Sequence, residues 1–107
     1  EICSEWPVGS TNESMKKIFT SKTPSLILSG QYDPVTPPSY AEQLAANLEN
    51  TLHIVGEGQG HGLISRGCIP KVISDFLEDP ILENLKTECV KHLKPVPFFV
   101  NAYGPSP

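Results

Sequence analysis

Two short segments of this chain carry side chains suited to proton transfer. Asp33 stands in Gly30-Gln31-Tyr32-Asp33-Pro34-Val35-Thr36-Pro37. His61 stands in Gly56-Glu57-Gly58-Gln59-Gly60-His61-Gly62, where four of seven residues are glycine. A carboxylate beside an imidazole accepts the Nδ1 proton, fixes the tautomer and stabilises the imidazolium formed when Nε2 takes a proton from a nucleophile. Each residue also has a plainer reading. Asp-Pro commonly opens a turn, and a histidine in a glycine loop can simply satisfy a local hydrogen bond. The chemistry requires the fold to bring both loops to one place.

The surrounding pattern supplies elements that would do so. Leu26, Ile27 and Leu28 are apolar in succession, as in a strand covered on both faces of a parallel sheet, and Pro24 and Gly30 punctuate its ends. Pro34, Pro37 and Pro38 exclude regular structure just after it. A helix follows, opened either by Thr36 as cap with Pro37 in the first position or by Ser39 and Glu42 as a capping box. Ala41, Leu44, Ala45 and Leu48 form its apolar stripe, and Asn47 and Asn50 suit its end. Residues 51–55, rich in β-branched side chains, predict a second strand. Ile69, Val72, Ile73, Phe76 and Leu77 predict a second helix, with Pro70 in its first turn and Asp79-Pro80 at its end.

Residues 25–79 therefore predict a strand-helix-strand-helix core of α/β class. Residues 1–24 read as an entry loop with one weak stripe, Met15, Ile18 and Phe19. Residues 80–107 read as a tail, with a short helix near 81–89 and an extended stretch at Pro95-Val96-Pro97-Phe98-Phe99. A helix-containing connection between the strands makes a parallel, right-handed crossover the natural topology. Functional groups in such sheets gather at the loops leaving the C-terminal ends of the strands, which is where Asp33 and His61 both lie. Two strands make a marginal sheet. The expected architecture is the last portion of a larger, incomplete parallel sheet.

Composition narrows the function. Among 107 residues, twelve acidic against eight basic side chains leave a net charge of −4. The seven lysines are scattered and Arg66 is the single arginine, so there is no basic stripe for nucleic acid. Aliphatic runs stop near three residues, far short of the ~20 of a membrane span. Eleven prolines exclude a helical bundle. The chain opens on Glu1 rather than Met, as a mature form or an excised piece would, leaving an upstream targeting segment open.

Cys3, Cys68 and Cys89 include no C-x-x-C pair and no histidine at zinc-ligand spacing, so no metal is expected. Cys68 and Cys89 flank the second helix, and a bridge between them would close a loop of about 20 residues, worth ~3 kcal/mol in the chain-entropy model. Three reduced thiols are the alternative. His53, within a strand, and His92, in the tail, read as structural or solvated. Glu57 and Gln59 read as loop residues, and Trp6 and Tyr32 as packing residues.

The G-x-x-D-P-V-T-P block followed by G-x-G-H-G resembles the C-terminal part of α/β-hydrolase serine peptidases, nearest the TAP-like tripeptidyl aminopeptidases and proline iminopeptidases. The likeness extends to Cys3-x-x-Trp6-Pro7, Arg66-Gly67-Cys68, Cys89 and Pro97-Phe98-Phe99. It implies the chain order Ser, Asp, His, with Asp33 as triad acid and His61 as general base. It also implies a Cys68–Cys89 bridge, an upstream partner for Cys3, no cofactor, and secretion or a cell-envelope location.

One departure qualifies the likeness: none of the ten serines stands in G-x-S-x-G. The resemblance places the nucleophile, oxyanion hole and substrate-shaping cap upstream, so the chain alone is expected to be inactive. The expected partners are the N-terminal remainder of the hydrolase and, in the whole enzyme, a peptide substrate. An isolated piece is expected to self-associate through its unpaired strand. The alternatives are a non-catalytic interaction module that retains these loops, or the C-terminus of an esterase or lipase.

Overall fold

Strand β1 (Ser25–Gly30) pairs in parallel with strand β2 (Thr51–Gly56), running from Ser25 opposite Thr51 to Gly30 opposite Gly56. Helix α1 (Pro38–Ala45) forms the crossover, and helix α2 (Ile69–Glu78) follows β2. This computed structural model describes residues 2–7, 9–95 and 97–104. The side chain of Cys3 and the extended reading of Val96 lie outside what is described. Within the described residues the architecture is a partial α/β fold: an open parallel pair with helices.

Strand alternation sorts the core. Leu26, Leu28, Leu52 and Ile54 share one face and pack with Leu63, Ile69, Val72 and Val90; Ile69 is fully buried. The opposite face carries Ile27, Ser29 and His53. Ile27 and Ser29 line a groove there with Pro37, Tyr40, Ala41 and Leu44 of the α1 region. His53 Nε2 lies 2.9 Å from Ser29 Oγ, so this histidine has a partner within the sheet.

Local chemistry shifts several boundaries. Helix α1 begins at Pro38, not through a Thr36 or Ser39 cap, and no side chain caps it. Pro37 and Pro38 bring no amide donors, so little needs capping there. The Thr36 hydroxyl is used elsewhere. At the other end Asn47 donates through Nδ2 to the Gln43 carbonyl, in keeping with its reading as a terminator. The weak stripe at Met15 gives a 3₁₀ turn at Glu13–Lys16. The expected tail helix becomes two 3₁₀ turns, Leu82–Asn84 and Glu88–His92. Tertiary anchors in the second of these, Val90 in the core and Cys89 in a disulfide with Cys68, hold it without a long helix. Trp6 and Tyr32 contradict the packing reading: each is 70% exposed.

Among the described residues neither outer edge of this two-stranded sheet has a partner strand. Ser25 N–H donates to the Asn50 carbonyl and Gln31 N–H to the Gly56 carbonyl, so the odd-numbered residues of β1 address β2. The alternation of a parallel ladder then turns the backbone groups of Leu26 and Leu28 to the other side, where no neighbouring strand lies among the described residues.

Candidate active site

Asp33 lies three residues beyond the end of β1 and His61 five beyond the end of β2, on adjacent strand-to-helix connections. The two connections are stitched together. Tyr32 N–H donates to the Gln59 carbonyl at 2.9 Å, and Gly58 N–H to Gln31 Oε1 at 2.8 Å. The close approach depends on Gly30, where an added methyl would run into the carbonyl of Gly60. Gly62, with φ of +88°, supplies the left-handed turn from His61 into the 3₁₀ segment Leu63–Ser65.

The result is a carboxylate–imidazole pair. His61 Nδ1 lies 2.8 Å from Asp33 Oδ2, with the Asp33 side chain 4% exposed and that of His61 60% exposed. Asp33 Oδ1 accepts from the amides of Val35 at 2.8 Å and Thr36 at 3.0 Å. The Thr36 hydroxyl donates to Oδ2, also at 2.8 Å. Thus the turn opened by Asp33 and its pairing with His61 are one structure, and the turn does not exclude the pairing. Burial alone would push the Asp33 carboxyl up. The hydrogen bonds from Thr36 amide and hydroxyl, His61 and Val35 outweigh it and hold the group well below the usual carboxylate range.

An ionised carboxylate only accepts hydrogen bonds. The proton between these residues therefore belongs to His61 Nδ1, and in the neutral ring that tautomer puts the lone pair on Nε2. The ring borders a cleft of about 350 Å³ lined also by Leu26, Leu28, Thr36, Leu63 and Ile64. Thr36 Oγ1 is 3.5 Å from Nδ1 and is committed to Asp33, so it is not the hydroxyl that Nε2 would deprotonate. Among the described residues, no group of three or more His, Cys, Asp or Glu side chains could hold a metal ion.

Two contributors escape a reading from residue type. Thr36 looks like a helix cap and instead holds the acid. Gln59 looks like a loop side chain and is 5% exposed, donating through Nε2 to the carbonyl of Lys94 at 2.7 Å. The proline-rich run after Asp33 is the signal for Thr36, because prolines at 37 and 38 remove two of the amide donors that a capping threonine could serve. Nothing near Gln59 in sequence signals Lys94.

The low folded-state pKa of Asp33 has a pH signature. Its stabilising effect is fully present above the unfolded value of about 3.9 and is lost as pH falls through the lower folded value. The stability gap between the parent and Asp33→Asn is therefore expected to stay constant from neutral pH down to about 5 and to close below about 3.9. Urea unfolding at several pH values measures it. A gap that persists unchanged at low pH would mean the carboxylate is not the stabilising species.

The carboxylate–imidazole pair thus stands at the C-terminal edge of the parallel strands of a partial α/β fold. The sequence model of the TAP-like protein family matches residues 1–89, and the chain belongs to that family of α/β-hydrolases. Neither the curated proteins nor the solved structures contain a match to this chain.

Proposed function

We propose that this chain is the C-terminal part of a serine peptidase, an exported aminopeptidase that releases short peptides from N-termini. In this reading Asp33 is the triad acid and His61 the general base, and both serve a serine borne upstream. The carrying observation is the 2.8 Å contact between His61 Nδ1 and the buried Asp33 carboxyl, which is held well below the usual carboxylate range; it supports a tautomer that leaves Nε2 free to act as the base. In acylation Nε2 takes the serine proton as the oxygen attacks the scissile carbonyl, and returns it to the leaving amine. Asp33 stays ionised throughout and steadies the imidazolium. Family membership supports a hydrolase, and the choice of peptide substrates and N-terminal cleavage rests on the resemblance. The Cys68–Cys89 disulfide supports an oxidising, exported setting.

The test is the complete reading frame expressed with and without His61→Ala. Peptidyl amides with a free N-terminus should be cleaved by the parent, their N-blocked counterparts should not, and the variant should be inactive. Turnover that survives His61→Ala would overturn the triad, and equal cleavage of blocked substrates would overturn the aminopeptidase assignment. The 107-residue chain by itself should not turn over an activated ester.

The same reading fills the open edge of β1 with a strand from the upstream part. Deprived of it, the 107-residue chain should self-associate, because the outward backbone groups of Leu26 and Leu28 form an exposed pairing edge. Gel filtration should show the elution position moving to larger size as concentration rises. A constant monomer position across a wide range would count against this occupancy.

A further inference from the structure

The segment after α2 returns to the glycine-rich loop and touches it repeatedly. Cys89 is bonded to Cys68, Val90 is buried in the core, and Leu93 packs against the backbone at Gly67, where a built methyl would lie 2.5 Å from its Cδ2. The Lys94 carbonyl then accepts from Gln59 Nε2 at 2.7 Å, and the Pro95 ring covers Gly58 closely enough that a methyl there would approach it to 2.8 Å. Gln59 sits at the centre. Its side chain holds the tail, its backbone carbonyl holds Tyr32 N–H beside Asp33, and His61 follows two residues later.

A loop with glycine at 56, 58, 60 and 62 has little stiffness of its own. An imidazole displaced by about 1 Å can cost a reaction about 100-fold. Rigidity here has to come from outside the loop. The geometry points to residues 88–95 as a strap that holds the His61 loop in register with Asp33, with Gln59 as its positioning residue and the Cys68–Cys89 disulfide as its anchor. The inference rests on the reading of Asp33 and His61 as a catalytic pair. It adds that their alignment is set by the tail.

The test uses the complete reading frame, isotopically labelled, and NMR of its imidazoles and amides. In oxidised protein the Nδ1 proton of His61 should give a downfield signal that Asp33→Asn removes. His53, bonded to Ser29 inside the sheet, is the internal reference for an intact fold. Gln59→Met keeps the length of the side chain and deletes its donor. It should raise exchange of the Tyr32 amide and of the amides at 58–61 about five- to tenfold and broaden or remove the His61 signal, while His53 is unchanged. Excess dithiothreitol, which becomes a cyclic disulfide as Cys68 and Cys89 become thiols, should do the same to the parent. It should have no effect on a Cys68→Ser/Cys89→Ser double variant already in that state. An undisturbed His61 signal in Gln59→Met would overturn the strap. Loss of His53 together with His61 in both Gln59→Met and reduced protein would assign these contacts to global stability and overturn it too. A His61 signal absent from oxidised parent, or indifferent to Asp33→Asn, would instead sink the catalytic pair, and the strap's role with it.

Discussion

On the proposed triad, Asp33→Asn in the full-length protein is expected to lower kcat by about 10⁴-fold and to leave KM nearly unchanged. Asparagine fits the same space, and its carbonyl oxygen can still accept from the amides of Val35 and Thr36, which approach Oδ1 at 2.8 and 3.0 Å. Its amide nitrogen then occupies the position of Oδ2 and faces His61 Nδ1. Two donors cannot share that contact, so the ring moves its proton to Nε2 and offers Nδ1 as acceptor. A protonated, neutral Nε2 has no lone pair with which to take the serine proton. Because the Asp33 side chain is 4% exposed, it is not placed to hold substrate, and binding should be spared. Steady-state kinetics of the two proteins, with the ring tautomer read from ¹⁵N shifts, checks both halves. A loss below about tenfold in kcat would show that the carboxylate does not set the tautomer.

The features behind that expectation differ in how openly the sequence carries them. Three consecutive aliphatic residues between Pro24 and Gly30 define β1 at the bounds observed, and the β-branched run from Thr51 defines β2 to within one residue. These signals are local, since apolar runs and breakers act within a few residues of themselves. The same holds for α2, whose stripe and Asp79-Pro80 stop give Ile69–Glu78. Parallel pairing follows from the length of the crossover, and it puts Asp33 and His61 on neighbouring loops without any knowledge of side chains.

What stays hidden depends on contacts distant in sequence or on competition between partners. Thr36 has the type and place of a helix cap, yet a buried carboxylate three residues earlier is the better acceptor for its hydroxyl. The tail's second 3₁₀ turn owes its place to Val90, which joins Ile54, Leu63, Ile69 and Val72 in the core, and to Cys89, bonded to Cys68 at a separation of 21 residues. Tyr32 has the bulk of a packing residue and meets no layer within the described chain. The glycine block around His61 is the most instructive case. Its pattern invites the view that Gly60 makes room for the imidazole, yet a methyl on Gly60 would meet nothing within 4 Å. The close approach is made at Gly30.

That contrast yields a matched pair of substitutions with opposite outcomes. A methyl on Gly30 would collide with the Gly60 carbonyl and lie 2.8 Å from the Gln59 carbonyl oxygen. Both obstacles are backbone, so no rotamer change relieves them. The loop must withdraw from the end of β1. That motion breaks the Tyr32–Gln59 hydrogen bond and carries His61 away from Asp33. Overpacking of this kind costs on the order of 3 kcal/mol, enough to lower the melting temperature by roughly 10 °C or more in a domain of this size. Gly60→Ala, one of the glycines flanking His61, meets open space and has no positive φ to strain, so its effect should stay within about 0.5 kcal/mol. Thermal unfolding of both variants, with the His61 Nδ1 proton followed by NMR, separates the two cases. Equal behaviour of the pair, or a Gly30→Ala protein that keeps both its melting temperature and its imidazole signal, would mean the loops close by some contact other than the backbone crossing at Gly30.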